Sequence, residues 1–138
     1  MALAADSPYP RRGQPGRNDF GYPLAPGELV YVGSLTCINA AGQMVRVQTA
    51  GGVAFGGMAD RNLSNVGNAT ASSINVVGRT GTFALTVPSA TYANIGASVY
   101  ATDDNTLTLT APTTGFTQAI GTLVGIENGQ TWVELARS

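Results

Sequence analysis

The amino-acid sequence predicts an all-β protein, a compact antiparallel β-barrel or sandwich with at most one short helix and an extended N-terminal arm. The chain has 138 residues, of which 43% are hydrophobic and 11% charged, enough for one domain with a buried core. From Gly27 onward, short runs of alternating apolar and polar residues are separated by turn residues, and helical periodicity is scarce. Five of the seven prolines fall in residues 1–26, which excludes a helix or a central strand there.

Residues 1–26 are predicted to form the arm and residues 27–138 the β domain. The arm carries aromatic and arginine side chains, the residue types that anchor protein interfaces. A proline-rich terminus is either a disordered tail or an arm that becomes ordered on a partner, and the aromatic content favours the second. We expect deletion of residues 1–26 to leave a folded body. The predicted partner-binding residues are Tyr9, Arg11, Arg12, Arg17, Phe20 and Tyr22.

The β domain is predicted to contain three hairpins. Asn128-Gly129 joins the last pair, and both residues accept the positive φ angles of a type I′ turn. The strand pairs are 34–39 with 43–48, 97–102 with 106–110, and 120–127 with 130–136. A further strand is expected within 80–87. The alternation predicts a core that contains Val30, Val45, Val47, Phe83, Leu85, Val99, Leu107, Leu109, Val124 and Val133.

Three stretches do not fit this strand pattern. The glycine-rich residues 51–57 indicate a bend or bulge, and the polar residues 60–73 indicate a long loop. Residues 89–94 are predicted to form the one short helix, with Ser89 as its N-cap and an end near Gly96.

The composition argues against most enzyme mechanisms. The chain has no His, and all seven of its basic residues are Arg, so the usual proton shuttle, imidazole ligand and Schiff-base amine are missing. Cys37 is the single cysteine and lies in a strand pattern, which indicates a small buried hydrophobe. We therefore expect no catalytic residues, no cofactor and no bound metal.

Adjacent acids at Asp103 and Asp104 are the main candidates for catalysis or metal binding, since paired carboxylates serve as acid and base or bind a hard cation. Asp-Asp-Asn is also typical of a solvent-exposed hairpin turn, and this interpretation is favoured. The net charge of -1 and a pI near 5.1 argue against nucleic acid as a partner. Without a long apolar run, no signal peptide or membrane contact is expected.

Several segments lie along the β domain in a distinctive order and spacing: PGELV (26–30), VAFGGMA (53–59), GRTGTFAL (78–85), ANIGASVY (93–100), and AIGTLVG (119–125) followed by WVEL (132–135). In this order and spacing, residues from about Gly27 to Ser138 resemble the small bacteriophage capsid decoration proteins, also called capsid cement proteins. The sequence departs from that family at Asp103-Asp104, where a single Asp is common, and in the length of the leading arm.

The resemblance implies a non-enzymatic β-barrel or β-sandwich subunit, often a homotrimer, seated at threefold or pseudo-threefold positions of an icosahedral head. Its partner would be the major capsid protein. It would be made in the host cytoplasm and act on the capsid exterior, where it bridges capsomers and stabilises the mature shell.

The alternative is a carbohydrate- or receptor-binding β module on a virion surface. Under this hypothesis the aromatic rings of Trp132, Tyr92 and Tyr100 would stack on sugar rings. Trp132 lies in a predicted terminal strand, where packing in the core is the commoner use of the side chain.

Overall fold

A computed structural model describes residues 20–136, and its regular elements are antiparallel strands apart from one 3-10 helix, which confirms the predicted all-β fold. The helix spans Tyr92–Asn94. The strands are β1 (Phe20–Pro23), β2 (Leu29–Val30), β3 (Leu35–Asn39), β4 (Met44–Arg46), β5 (Gly52–Ala59), β6 (Leu63–Ser64), β7 (Asn75–Arg79), β8 (Gly81–Ala84), β9 (Ser98–Asp103), β10 (Thr106–Thr108), β11 (Gly121–Glu127) and β12 (Gln130–Leu135).

The first sheet has the strand order β1-β7-β5-β3-β4 and curls so that its two edges meet. Leu24, directly after β1, forms an isolated parallel bridge with Met44 of β4. The Ala25 amide donates to the Met44 carbonyl at 3.0 Å. A small core lies inside this curled sheet, formed by Leu24, Val30, Ile38, Met44, Ala59 and Val76.

The second sheet has the order β10-β9-β11-β12-β8 and contributes to a larger core shared with the first sheet. Strand β3 supplies both cores, because Cys37 belongs to the larger cluster and Ile38, its neighbour, to the smaller one. The first sheet is therefore covered on both faces, with strand alternation dividing its side chains between two interiors. A separate two-stranded sheet pairs β2 with β6.

All three predicted hairpins are confirmed. β3 pairs with β4, β9 with β10, and β11 with β12, each antiparallel. At the last turn Asn128 and Gly129 have φ angles of 52° and 75°, as a type I′ turn requires.

The predicted core is correct except at Val124, whose side chain is 42% exposed. The pairing of β11 with β12 shifts register between Leu123 and Gly125, which inserts Val124 as an extra residue. Leu123 takes the inward position instead and is fully buried. The partly buried residues Phe83, Leu85 and Leu109 pack against the larger core. The other predicted core residues, Val30, Val45, Val47, Val99, Leu107 and Val133, are buried.

Two of the three irregular stretches contain strands that the sequence did not reveal. Residues 51–57 form most of β5, which shifts register twice against β3, so the predicted bulges lie within a continuous strand. At Gly57, with φ of 94°, an added Cβ would lie 2.6 Å from the Gly78 carbonyl carbon, so only glycine fits. Within the predicted loop 60–73, the two residues of β6 pair with β2.

The short helix begins later than predicted. Its N-cap is Thr91, which has extended backbone geometry, whereas Ser89 has a φ angle of 63° and does not cap the helix. The Thr91 amide donates to Asn94 Oδ1 at 2.8 Å. The φ angle of 93° at Gly96 ends the segment as expected.

The expected domain boundary at residue 26 falls inside the folded domain. Strand β1 pairs with β7 at four positions, from Phe20 opposite Gly78 to Pro23 opposite Asn75. As the first sheet's outermost strand, β1 accommodates a proline that a central strand would not. The part of the expected arm before residue 20, which we call the leader (residues 1–19), lies outside the described residues.

Candidate interaction surface

The six predicted partner-binding residues divide between the leader and β1. Phe20 and Tyr22 lie on β1, where Phe20 is 37% exposed and Tyr22 packs against the smaller core. Tyr22 is therefore in part a structural residue of the domain. Tyr9, Arg11, Arg12 and Arg17 lie outside the described residues, so their role in partner binding stays a prediction.

The segment that follows the leader is tied firmly into the domain. The Leu24 amide donates to Ser72 Oγ at 2.8 Å, and the Ser72 amide donates to the Leu24 carbonyl at 2.9 Å. The buried Asn65 amide group donates to the carbonyls of Leu24, Ala25 and Thr70 at 3.3, 3.0 and 2.9 Å. A force on the leader would therefore be resisted by the hydrogen bonds of β1 and by the buried side chain of Leu24.

A buried carboxylate at Glu28 fixes the next turn of the chain against β4. Glu28 Oε1 accepts from Arg46 Nε at 2.7 Å and from the Leu29 amide at 3.1 Å. Its Oε2 accepts from Thr49 Oγ1 at 2.7 Å. Because both oxygens are occupied and the side chain is buried, this carboxylate acts as a structural clamp.

The adjacent acids Asp103 and Asp104 are engaged in the β9–β10 turn. Asp103 Oδ1 accepts from the Asn105 amide at 3.0 Å, and Asp104 Oδ2 accepts from Ser34 Oγ at 3.0 Å. The Asp104 carbonyl also accepts from the Leu35 amide at 2.8 Å, which links the turn to the first sheet. These contacts match a structural turn. Over residues 20–136, no group of three or more His, Cys, Asp or Glu side chains is placed to hold a metal ion.

Cys37 is fully buried in the larger core, as the sequence predicted. Burial, with a smaller contribution from the charge of Glu28, raises the pKa of its thiol from 9.0 to about 12. The side chain is therefore a neutral thiol at physiological pH and a poor nucleophile.

We expect a thiol-specific reagent at pH 8 to leave native Cys37 unmodified and to react once the protein is unfolded in urea. Because the folded pKa lies above the unfolded one, the native state holds the proton between about pH 9 and 12 while the unfolded state releases it. The stability of the parent protein relative to Cys37→Ala should therefore fall as pH rises through that window. Native labelling as fast as denatured labelling would contradict the buried assignment.

The outer face of the second sheet presents the only tryptophan of the chain. In β12 the side chains of Val133 and Leu135 are buried, so Trp132 and Glu134 point to the opposite face. Trp132 is half-buried and is part of neither core cluster among the described residues. The expected use of Trp132 in the core is therefore wrong. Its alternation with Val133 and Leu135 was the sequence signal that placed it outside.

Small residues flank Trp132 in the sheet, and exposed apolar side chains lie on and beside the neighbouring strand β11. The cross-strand neighbours of Trp132 are Gly125 on β11 and Ala84 on β8, and a Cβ added at Gly125 would meet no atom within 4 Å. The exposed Val124 precedes Gly125 in β11. The Gly96 amide donates to the Leu123 carbonyl at 2.8 Å, and this bond places Ile95, which is 45% exposed, next to β11. Tyr92, 71% exposed, belongs to the 3-10 helix, which contacts β11. We call this surface the Trp132 patch (Tyr92, Ile95, Val124, Gly125 and Trp132).

Tyr100, the third aromatic residue of the carbohydrate-binding hypothesis, lies elsewhere. Tyr100 is half-buried on β9, on the same outer face, and pairs with Thr108 of β10. The ladder places Ser98 opposite Thr122, so β9 runs away from the end of β11 that holds Gly125. The structure thus groups Tyr92 with Trp132 around β11 and leaves Tyr100 toward the other end of the sheet.

No protein-family model matches the sequence, and no significant match to a curated protein or to a solved structure was found. Of the helical structure that the described residues form, none is long and apolar enough to span a membrane.

Proposed function

We propose that this chain is a non-enzymatic decoration, or cement, subunit of a bacteriophage head. It would bind the major capsid protein on the outer surface of an icosahedral shell, as a homotrimer at threefold or pseudo-threefold positions, and bridge neighbouring capsomers. The observation that carries the proposal is the junction at Phe20, where a leader with three prolines, three arginines and Tyr9 continues directly into an anchored edge strand. The resemblance of residues 27–138 to decoration proteins supplies the class of partner.

A bridging subunit stabilises a shell because its binding free energy is lost when the bridged capsomers separate. Each contact can be weak, since several linked contacts from one oligomer raise the effective concentration of the others and slow release. The anchoring of Leu24 by Ser72 and Asn65 suits this role, because a load on the leader reaches the folded domain without first unravelling a loose end.

The leader has a composition suited to binding at low entropic cost. Ordering a residue costs about 1–2 kcal/mol of backbone free energy, and proline has less freedom to lose. Residues 1–19 contain Pro8, Pro10 and Pro15, with Tyr9 between the first two. Tyr and Arg are the side chains that most often dominate interface energetics.

The chemistry of the described residues supports a structural role. The carboxylates of Glu28, Asp103 and Asp104 accept hydrogen bonds from within the fold, and the Cys37 thiol is held neutral. These groups are occupied in supporting the domain.

We expect a chain without residues 1–19 to fold and yet to occupy capsids far less than the full chain. Contacts of the leader with the capsid or with a neighbouring subunit would be lost, and the loss of either weakens attachment of the oligomer to the head by at least about tenfold. The measurement is co-sedimentation of the protein with purified heads of the phage that encodes it, quantified as copies per head.

A full-length chain with Asp6→Ser and Asp19→Ser serves as the matched control, because it alters the leader but keeps its Tyr and Arg residues. It should bind at least as well as the parent. Equal occupancy by the truncated and full chains would remove the leader from the proposal.

A further inference from the structure

We propose that the leader of one copy binds the Trp132 patch of a neighbouring copy, with Tyr9 and its flanking prolines against the indole and Arg11 or Arg12 beside Glu134. The inference rests on the proposed function in one respect, because it assumes that neighbouring subunits bind one another. It identifies the leader as the segment that binds the Trp132 patch. It requires no capsid and is testable in the free protein.

The patch offers an extended peptide apolar surface beside small residues. The neighbours of Trp132 across the ladder are Gly125 and Ala84, the two smallest residue types, so no large cross-strand side chain covers the ring. The space above Gly125 is open. Val124 and Ile95 border this space with exposed apolar surface. An indole beside an open apolar notch is the arrangement with which aromatic-lined grooves receive proline-rich segments.

The charges of the two parts are complementary. Strands β8 to β12 contain the acids Asp103, Glu127 and Glu134 and no basic residue. Glu134 lies on the same face as Trp132, two residues along β12, and is exposed. The leader carries three arginines against Asp6 and Asp19, a net charge of +1. An arginine near Glu134 gains a carboxylate partner and lies close enough to an indole for a cation–π contact.

The sequence of the leader matches the patch in chemistry. Pro8-Tyr9-Pro10-Arg11-Arg12 places an aromatic ring between two prolines and follows it with two guanidinium groups. Proline favours extended backbone before binding, which lowers the cost of docking. Tyr provides a large contact area with few rotatable bonds.

The leader joins the domain at Phe20, near the start of β8. Phe20 pairs with Gly78, and the chain continues from there through Arg79 into β8, the strand beside β12. Nineteen extended residues span about 60 Å at ~3.3 Å each, several times the radius of gyration of about 13 Å for a domain of this size. Each leader is therefore long enough to reach a second molecule. A contact between unlike surfaces, repeated head to tail, closes a ring such as a trimer when the rotation between successive copies closes.

The test mixes two full-length variants that each lack one half of the contact. The donor, Trp132→Thr, keeps the leader and has no tryptophan. The acceptor carries Tyr9→Ser, Arg11→Ser and Arg12→Ser and keeps the patch. Because Trp132 is the only tryptophan, fluorescence of the mixture reports the acceptor patch alone. We expect a saturable shift of its emission to shorter wavelength as donor is added, and a heavier species in sedimentation that neither variant forms alone.

Two variants of the acceptor sharpen the test. Gly125→Val fills the open notch while leaving Trp132 in place, and it should weaken donor binding about tenfold or more. Thr102→Val adds apolar surface to the same face of the sheet, on β9 away from Gly125 and Glu134, and should leave binding unchanged. Circular dichroism of each variant establishes that it is folded.

An acceptor signal that does not respond to donor would overturn the inference. A parent protein that sediments as a monomer while its emission maximum matches that of the saturated mixture would also overturn it, because the leader would then lie on its own patch. Glycan binding that is lost in Trp132→Thr, with no response to donor, would assign the patch to a sugar instead. Failure here leaves capsid binding by the parent chain measurable, so the two proposals fail separately.

Discussion

A chain that begins at residue 20 is expected to unfold at nearly the same urea concentration as the full chain, whereas one that begins at residue 27 is expected not to fold stably. The second truncation removes β1 together with the buried residues Leu24 and Ala25. It also leaves the buried amide of Asn65 without two of its acceptors and Met44 without its bridge.

The loss of the Leu24 side chain alone indicates how strongly the second truncation lowers the free energy of unfolding. Replacing a fully buried leucine with alanine costs about 2–5 kcal/mol, while a domain of this kind has about 5–15 kcal/mol in total. Leu24→Ala in the full chain should therefore lower the free energy of unfolding by about 3 kcal/mol. Phe20→Ala, a partly exposed residue of the same segment, is the matched control and should cost much less.

Circular dichroism during urea unfolding measures the full chain, the two truncated chains and the two single variants. Equal midpoints for the chains that begin at residues 20 and 27 would contradict the assignment of β1 and Leu24 to the folded domain. Such a result would restore the boundary at residue 26 that the sequence predicted.

The second large effect is expected at Glu28. Glu28→Ala removes the acceptor for Arg46 Nε, Thr49 Oγ1 and the Leu29 amide at once. Breaking a buried ion pair costs about 3–5 kcal/mol, and because the Arg46 side chain is 28% exposed and regains some water, we expect about 3 kcal/mol.

Glu134→Ala is the matched control, since it removes an exposed carboxylate from a strand and should change stability by less than about 0.5 kcal/mol. The double variant Glu28→Ala with Arg46→Ala should lose less than the sum of the two single losses, because the two side chains interact. A loss at Glu28 as small as at Glu134 would show that the clamp contributes little.

Local signals accounted for much of the fold. The turn residues Asn128-Gly129 and Asp103-Asp104-Asn105 located two hairpins, because their side chains and φ preferences act over a few residues. Strand alternation placed Val99, Leu107 and Val133 in the core for the same reason.

The sequence-based predictions were wrong where contacts between residues far apart in the chain determine the structure. Pro23 and Pro26 indicated an arm, yet β7 offers Phe20–Pro23 an edge on which a proline is tolerated, and Met44 and Asn65 bury Leu24. The bulge that exposes Val124 depends on the pairing of β11 with β12, which no feature of the residue itself reveals.

The candidate interaction surface was also only partly predictable. The sequence predicted that aromatic residues and arginines bind a partner, and β1 holds Phe20 and Tyr22 at the start of the domain. It did not show that Trp132 and the helix containing Tyr92 lie on opposite sides of β11, because that arrangement depends on the pairing of Trp132 with Gly125 and on the bond from Gly96 to Leu123.

Imaging of phage heads by electron microscopy tests the central proposal most directly. Heads of the encoding phage, stripped of this protein and then incubated with the full chain, should gain protrusions at threefold or pseudo-threefold points of the outer surface. Heads incubated with the chain that begins at residue 20 should gain few. An outer surface that stays bare at saturating concentrations of the full chain would contradict the proposed function.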